Sequence, residues 1–294
     1  MKSCISISFL LISILIGQTF VQADDLQSSL RLLYSEKKLI RDKAAYQLAK
    51  QGGEEARKEF ISLIERDTGD LKETAIIALG ILEARNTDPQ KRKISLDILY
   101  SQLKDKNWRI RQAASIALGI IGDERAITHL KKLSRDSFFL REKNSYPVRE
   151  AAKLALDKIE YLNKLKEIEN LWKEGDKRID KGNLKGSFSF FKQIIAQDKK
   201  NRFGFTDDAQ FSLGYIYARE GRYKKAISIF NNLLKEYPDF EKTDKLLYCL
   251  TLCYLNLKEY KKGKEILLLL KRKFPDSEVT RNSQGLLERL EGLL

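Results

Sequence analysis

Along most of the chain, apolar side chains recur every third or fourth residue for about three turns, then give way to a short polar stretch. That periodicity predicts amphipathic helices joined by turns. Four first-half segments resemble one another: Ile40 to Leu48, Leu71 to Gly80, Ile110 to Gly119 and Val148 to Leu156. In each, a basic residue (Arg41, Lys72, Arg111, Arg149) is followed three residues later by alanine (Ala44, Ala75, Ala114, Ala152). Seven residues after the basic residue comes leucine (Leu48, Leu79, Leu118, Leu156). Offsets of three and seven lie on one helical face. Alanine there lets neighbouring helices approach closely, and leucine fills the layer between repeats. Gly80 and Gly119 fall where the first helix of a pair is expected to end and the chain to turn. A second amphipathic helix follows, such as Ala126 to Leu133.

The second half carries a different period. Leu213, Gly214, Tyr217, Ala226, Phe230 and Pro238 are matched 37 residues on by Leu250, Thr251, Tyr254, Gly263, Leu267 and Pro275. A weaker earlier copy holds Gly175, Ser187 and Phe191. Small residues at two of these positions let paired helices cross closely, and proline ends the second helix because it cannot continue the backbone ladder. Val279 to Leu294 reads as a final helix covering the last open layer. Pro147 can open a helix, and no Gly or Pro follows until Gly175. A nearly unbroken helix is expected from Pro147 to about Lys173, shared by both arrays and joining them rigidly.

The first pattern resembles HEAT repeats of the phycobilisome-lyase type, most clearly over Ile110 to Ala126. The first two copies depart from it, with Gln51-Gly52-Gly53 and Asn86-Thr87-Asp88-Pro89 in place of a Gly-Asp turn. The second pattern resembles tetratricopeptide repeats, with insertions such as Glu241-Lys242-Thr243. Residues Asp207 to Leu290 are similar to the periplasmic cell-division coordinator associated with the Tol–Pal system, and to the tetratricopeptide lipoprotein of outer-membrane assembly. The fold class expected is therefore all-α, an α-solenoid of about four HEAT-like hairpins and then about three tetratricopeptide hairpins. The domains expected are residues 24–163 and 164–294.

The N-terminus adds a compartment. Lys2 is followed by an apolar run from Ile5 to Ile16, then Val21-Gln22-Ala23 and Asp24-Asp25. This is the pattern of a cleavable secretory signal, residues 1–23, cut after Ala23. The run is too short for a membrane span. Cys4 is not placed for lipid attachment. The protein is expected to be exported, periplasmic or secreted. The formal net charge of +14 is spread over both halves rather than gathered in a tail.

Candidate chemistry is sparse. His129 is the single histidine, and it sits in an ordinary amphipathic segment, so a Ser-His-Asp or Cys-His arrangement could be built only around it. Cys249 and Cys253 are one turn apart; two small buried hydrophobes are preferred over a strained disulfide. With few other ligand types they make a poor zinc set, and no glycine-rich phosphate loop occurs. No cofactor, metal or catalysis is expected. The alternatives carried are a HEAT-type enzyme or lyase-like protein, and a purely structural subunit of an envelope complex.

Binding is the favoured role. The tetratricopeptide resemblance implies an inner wall built from Trp172 and Asp176, then Phe211, Tyr215 and Arg219, then Lys245, Tyr248, Leu252 and Asn256. Such an aromatic and cationic groove suits an extended or helical peptide with acidic groups. The competing reading is that Phe211 and Tyr248 simply pack against neighbouring helices. The partners expected are proteins or peptides of the cell envelope. For basic runs such as Lys224-Lys225 and Lys261-Lys262, solvated helix faces come first and contact with anionic lipid or cell-wall polymer second. No nucleic acid is expected.

Overall fold

A computed structural model of the protein describes residues 26–292; the expected signal sequence, residues 1–23, lies outside the described residues. The chain divides into two compact units, Met1–Asn163 and Lys164–Leu294. Among the described residues the fold is all-α, an α-solenoid of stacked helical pairs. The sole β feature described is an isolated bridge, Leu140 to Ser145.

In the first unit, α1 (Leu26–Leu32) precedes three helical pairs. These are α2 (Lys38–Gln51) with α3 (Glu54–Arg66), α4 (Asp70–Glu83) with α5 (Pro89–Gln102), and α6 (Trp108–Ile121) with α7 (Ile127–Leu133). Helix α8 (Pro147–Asp180) then begins. The fourth copy of the pattern therefore supplies a first helix without a return partner in this unit, so three pairs are complete rather than four. The chain does not turn back after Leu156 because α8 meets no breaker there; it runs seven residues past the expected Lys173.

The recurring alanines, Ala44, Ala75, Ala114 and Ala152, are at most 1% exposed, and Leu48, Leu79 and Leu118 are fully buried. The first helices stack on one another, α2 on α4 and α4 on α6. Gly80 and Gly119 do not end their helices, contrary to the sequence expectation. Both are buried inside α4 and α6. A Cβ on Gly80 would lie 2.7 Å from the Cα and Cβ of Ala117, and one on Gly119 would lie 2.8 Å from those of Ala155. Their role is close backbone approach. The turn after α6 is made instead by Gly122, in the left-handed region at φ 73°, as a helix C-terminus favours. At the other ends, Asp88 accepts from the backbone N–H groups of Gln90 and Lys91 to cap α5, and Asn107 accepts from that of Arg109 to cap α6.

The recurring basic residues bind the layers together. Arg41 donates to the carbonyls of Ser35 and Glu36 and lies 3.8 Å from Asp70. Lys72 reaches Asp105 at 3.2 Å. Arg111 donates to the carbonyls of Asp105 and Lys106 and forks onto Asp136 at 2.9 and 3.0 Å. Arg149 donates to the Asp136 carbonyl. For Arg41, Lys72 and Arg111 the paired acid lies downstream, at the start of the next first helix (Asp70) or in the connection leading to it (Asp105, Asp136), so these pairs tie successive layers. Glu83, fully buried, accepts from Arg57, Asn86 and Ser95; a buried carboxylate needs such partners.

The second unit comprises the C-terminal part of α8 with α9 (Leu184–Gln197), α10 (Thr206–Arg219) with α11 (Tyr223–Glu236), and α12 (Thr243–Asn256) with α13 (Tyr260–Lys273). Positions aligned in sequence are aligned in space. Phe191, Phe230 and Leu267 are fully buried. Gly175 and Gly214, which face the first two rings, are buried too, and Thr251 is buried at the third equivalent position. A Cβ on Gly214 would overlap the Phe230 ring, and one on Gly175 would lie 3.0 Å from that of Phe191. Helices α11 and α13 end two residues before Pro238 and Pro275. The expected single closing helix is two short ones, α14 (Glu278–Asn282) and α15 (Gln284–Glu291). The chain breaks at Ser283, whose hydroxyl donates to the Thr280 carbonyl instead of leaving the backbone to continue one helix. Leu290 still seals the last layer, fully buried.

Candidate functional site

The nine groove residues form three stripes on successive first helices of the second unit. Trp172 and Asp176 are four residues apart on α8, Phe211, Tyr215 and Arg219 follow at four-residue steps on α10, and Lys245, Tyr248, Leu252 and Asn256 lie at offsets 0, 3, 7 and 11 on α12. Those spacings keep each stripe on one helical face. Helices α10 and α12 are direct neighbours. Asp176, Arg219, Lys245 and Asn256 are exposed, while Trp172, Phe211, Tyr215, Tyr248 and Leu252 are half-buried.

Within this frame the side chains differ in what they touch. Phe211 packs 5.9 Å from Phe230 and 5.8 Å from Phe240, ring centre to ring centre, so much of its surface serves the unit's own core. Trp172 lies against Phe191 at 5.3 Å and Phe205 at 6.0 Å. Tyr248 and Cys249 flank the core cluster of Leu246, Leu247 and Leu250. Tyr215 carries Arg219 over its ring at 6.0 Å, and Asn256 donates to the Leu252 carbonyl of its own helix at 2.8 Å.

Lys242, Asp208 and Phe205, which are not among the nine groove residues, join the stripes. Lys242 stands 5.9 Å from the centre of the Trp172 ring and 2.7 Å from Asp208, linking α8, α10 and the start of α12. Phe205 backs Trp172. Lys242 lies in the insertion that lengthens the repeat, so repeat spacing offered no signal for it. The geometry yields a face of half-buried rings interleaved with cations, suited to apolar anchors beside acidic groups.

His129 is exposed, 5.2 Å from the Tyr100 ring. Cys249 and Cys253 are free thiols, half-buried and buried. Burial pushes their pKa values up to about 11 and about 12, with Cys249 adding to the rise at Cys253. Among the described residues no group of three His, Cys, Asp or Glu side chains could hold a metal ion, and no helix is long and apolar enough to cross a membrane.

Comparison with known proteins bears on the repeats. No curated protein matches the sequence. Among solved structures, the chain is similar to the complex of CpcE and CpcF of phycocyanin lyase from Nostoc sp., at 17% identity over 93% of this chain and 96% of that one, with a TM-score of 0.36. It is similar to human deoxyhypusine hydroxylase in complex with glycerol, at 16% identity over 92% and 96%, with a TM-score of 0.36. It is also similar to the TPR domain of P58(IPK), at 16% identity over 96% and 86%, with a TM-score of 0.40. Likenesses of this strength add nothing to the repeat assignment. Family models are more specific: HEAT repeats match residues 90–157, and the tetratricopeptide repeat matches residues 208–239 and 247–277. The chain is a helical-repeat protein, with HEAT repeats in its first unit and tetratricopeptide repeats in its second.

Proposed function

We propose that the protein is a non-catalytic scaffold that holds a protein or peptide partner along the first-helix face of its tetratricopeptide unit. One observation carries the reading: Tyr215, Tyr248 and Leu252 are half-buried yet reach the surface, with Arg219 and Lys245 exposed beside them. A side chain seated in its own core can offer a rigid apolar contact at little entropic cost, while the neighbouring cations select acidic groups. The N-terminal signal pattern supports export, and the resemblance to periplasmic repeat proteins supports a role in cell-envelope assembly or division.

The test is to change Tyr215 and Tyr248 to alanine and measure recovery of envelope partners with the tagged protein. Each ring, if it acts as an anchor, is worth about 2 kcal/mol, so the double variant should lose the partner while keeping its helical circular dichroism. Full recovery from a folded variant would reject the face. Purification with a stoichiometric metal or chromophore would favour the enzyme or lyase-like alternative instead.

A further inference from the structure

The second unit has two edges. One is made by the turns inside each helical pair, the other by the connections between pairs. Taking the three equivalent intra-pair turns, residues 180–186, 219–225 and 256–262, the sequence places nine basic and three acidic side chains there, a net of +6. The three inter-pair connections, 197–206, 235–244 and 272–281, hold eight basic and seven acidic side chains, a net of +1. Residues 164–294 as a whole carry +8, from 27 basic and 19 acidic side chains. Most of the unit's excess charge is therefore concentrated on one edge.

All nine cations on that edge are exposed: Lys181 and Lys185, then Arg219, Arg222, Lys224 and Lys225, then Lys258, Lys261 and Lys262. Among the described residues only Arg222 and Lys262 of the nine make an ion pair, with Glu220 and Glu259. The first two turns adjoin, since Lys185 and Phe188 share an open depression of about 560 Å³ with Glu220 and Arg222, and Phe188 meets Tyr217 edge-on at 5.3 Å.

We propose that this edge docks the protein onto an anionic lipid surface. Three features select that occupant. Seven of the nine cations are lysine, a compact point charge without arginine's planar fork, which suits a diffuse negative field better than fixed bidentate recognition. The charges are delivered from the tips of successive pairs, so they line one edge and can meet a surface together. The aromatic rings at this edge are engaged, Tyr217 by Arg222 at 4.5 Å and Tyr254 by Lys262 at 5.7 Å, while Tyr223 and Tyr260 are partly buried against the unit's core, which disfavours a stacking platform for bases. This edge touches the peptide face only at Arg219 and Asn256, and Lys224, Lys225, Lys261 and Lys262 lie outside that face, so either can fail without the other.

Vesicle co-sedimentation of the full chain tests the proposal, using phosphatidylcholine vesicles with and without about 30 mol% phosphatidylglycerol. Binding should require the anionic lipid and fall steeply as salt is raised to about 0.5 M. The variant Lys224→Glu/Lys225→Glu/Lys261→Glu/Lys262→Glu should weaken binding about tenfold or more. Reversing Lys199, Lys200, Arg272 and Lys273 to glutamate on the other edge should leave it within about threefold. Helical circular dichroism confirms that both variants fold. Equal binding to neutral and anionic vesicles, no binding, or equal loss in the two variants would overturn the proposal. Binding of soluble polyglutamate or DNA without binding of anionic vesicles would overturn it in favour of a polymer ligand.

Discussion

Gly119 and Ala155, on the first helices of successive repeats, are so close that a methyl group on the glycine would lie 2.8 Å from the alanine Cα and Cβ. Gly80 and Ala117 repeat the relationship one layer earlier, at 2.7 Å. Backbone, not a flexible side chain, blocks the space, so Gly119→Ala must push α6 and α8 apart. Such overpacking costs about 1–3 kcal/mol. The expected result is a clear drop in Tm for Gly80→Ala and Gly119→Ala. Gly285→Ala, in a helix with nothing within 4 Å, should instead be neutral or stabilising by up to about 1 kcal/mol. Equal effects at all three sites would contradict the packing described.

The same argument predicts a graded series in the second unit. Gly214→Ala collides with the fully buried Phe230 ring, whereas a Cβ on Gly263 has its nearest neighbour at an ordinary 3.6 Å. Chemical denaturation should show Gly214→Ala destabilised by about 1–3 kcal/mol and Gly263→Ala unchanged or more stable.

These glycines also mark what the sequence concealed. Alanine and leucine at fixed offsets from Arg41, Lys72, Arg111 and Arg149 announced the helical face, because helical periodicity is a local property. Whether Gly80 breaks a helix or admits a neighbour depends on a helix 37 residues away, and composition alone favours the breaker. The recurring cations were visible, yet their partners were not, since Asp70 at the start of α4 and Asp105 and Asp136 in connections take positions that follow only from stacking. At the candidate site, stripe positions on α10 and α12 were legible from repeat spacing. That Phe211 leans on Phe240, and that Lys242 reaches Trp172, depends on connection lengths that depart from the usual repeat.

The layer-binding pairs give a pH prediction. Burial raises the Asp136 pKa, but hydrogen bonds from Arg111 and the Phe138 N–H, with the charges of Arg111 and Arg149, outweigh it and hold the carboxyl below its usual value. A depressed folded pKa contributes stability that is present above the unfolded value, about 3.9. That contribution is lost as pH falls through the folded value. Asp136→Asn should lower Tm at neutral pH and flatten the acid side of the Tm profile below about pH 4. An unchanged acid limb would show that the pair contributes nothing. Arg111→Lys should not restore what Arg111→Ala loses, because lysine cannot fork onto the carboxylate and the two loop carbonyls together.

The thiols give a chemical prediction. With both pKa values pushed upward by burial, neither Cys249 nor Cys253 carries much thiolate near neutral pH, and the thiolate is the nucleophile. Iodoacetamide should label the folded protein slowly at about pH 8 and both residues quickly after denaturation. Rapid labelling of the folded protein would contradict the burial.

The partner-binding face is tested most directly by photo-crosslinking in the native cell. A photoreactive residue is placed at Tyr215 or Tyr248 on the first helices, and at Asn232, exposed on the second helix α11, as the comparison. The account predicts that Tyr215 and Tyr248 capture the same discrete partner and that Asn232 does not. Capture from Asn232 with none from either tyrosine would contradict it.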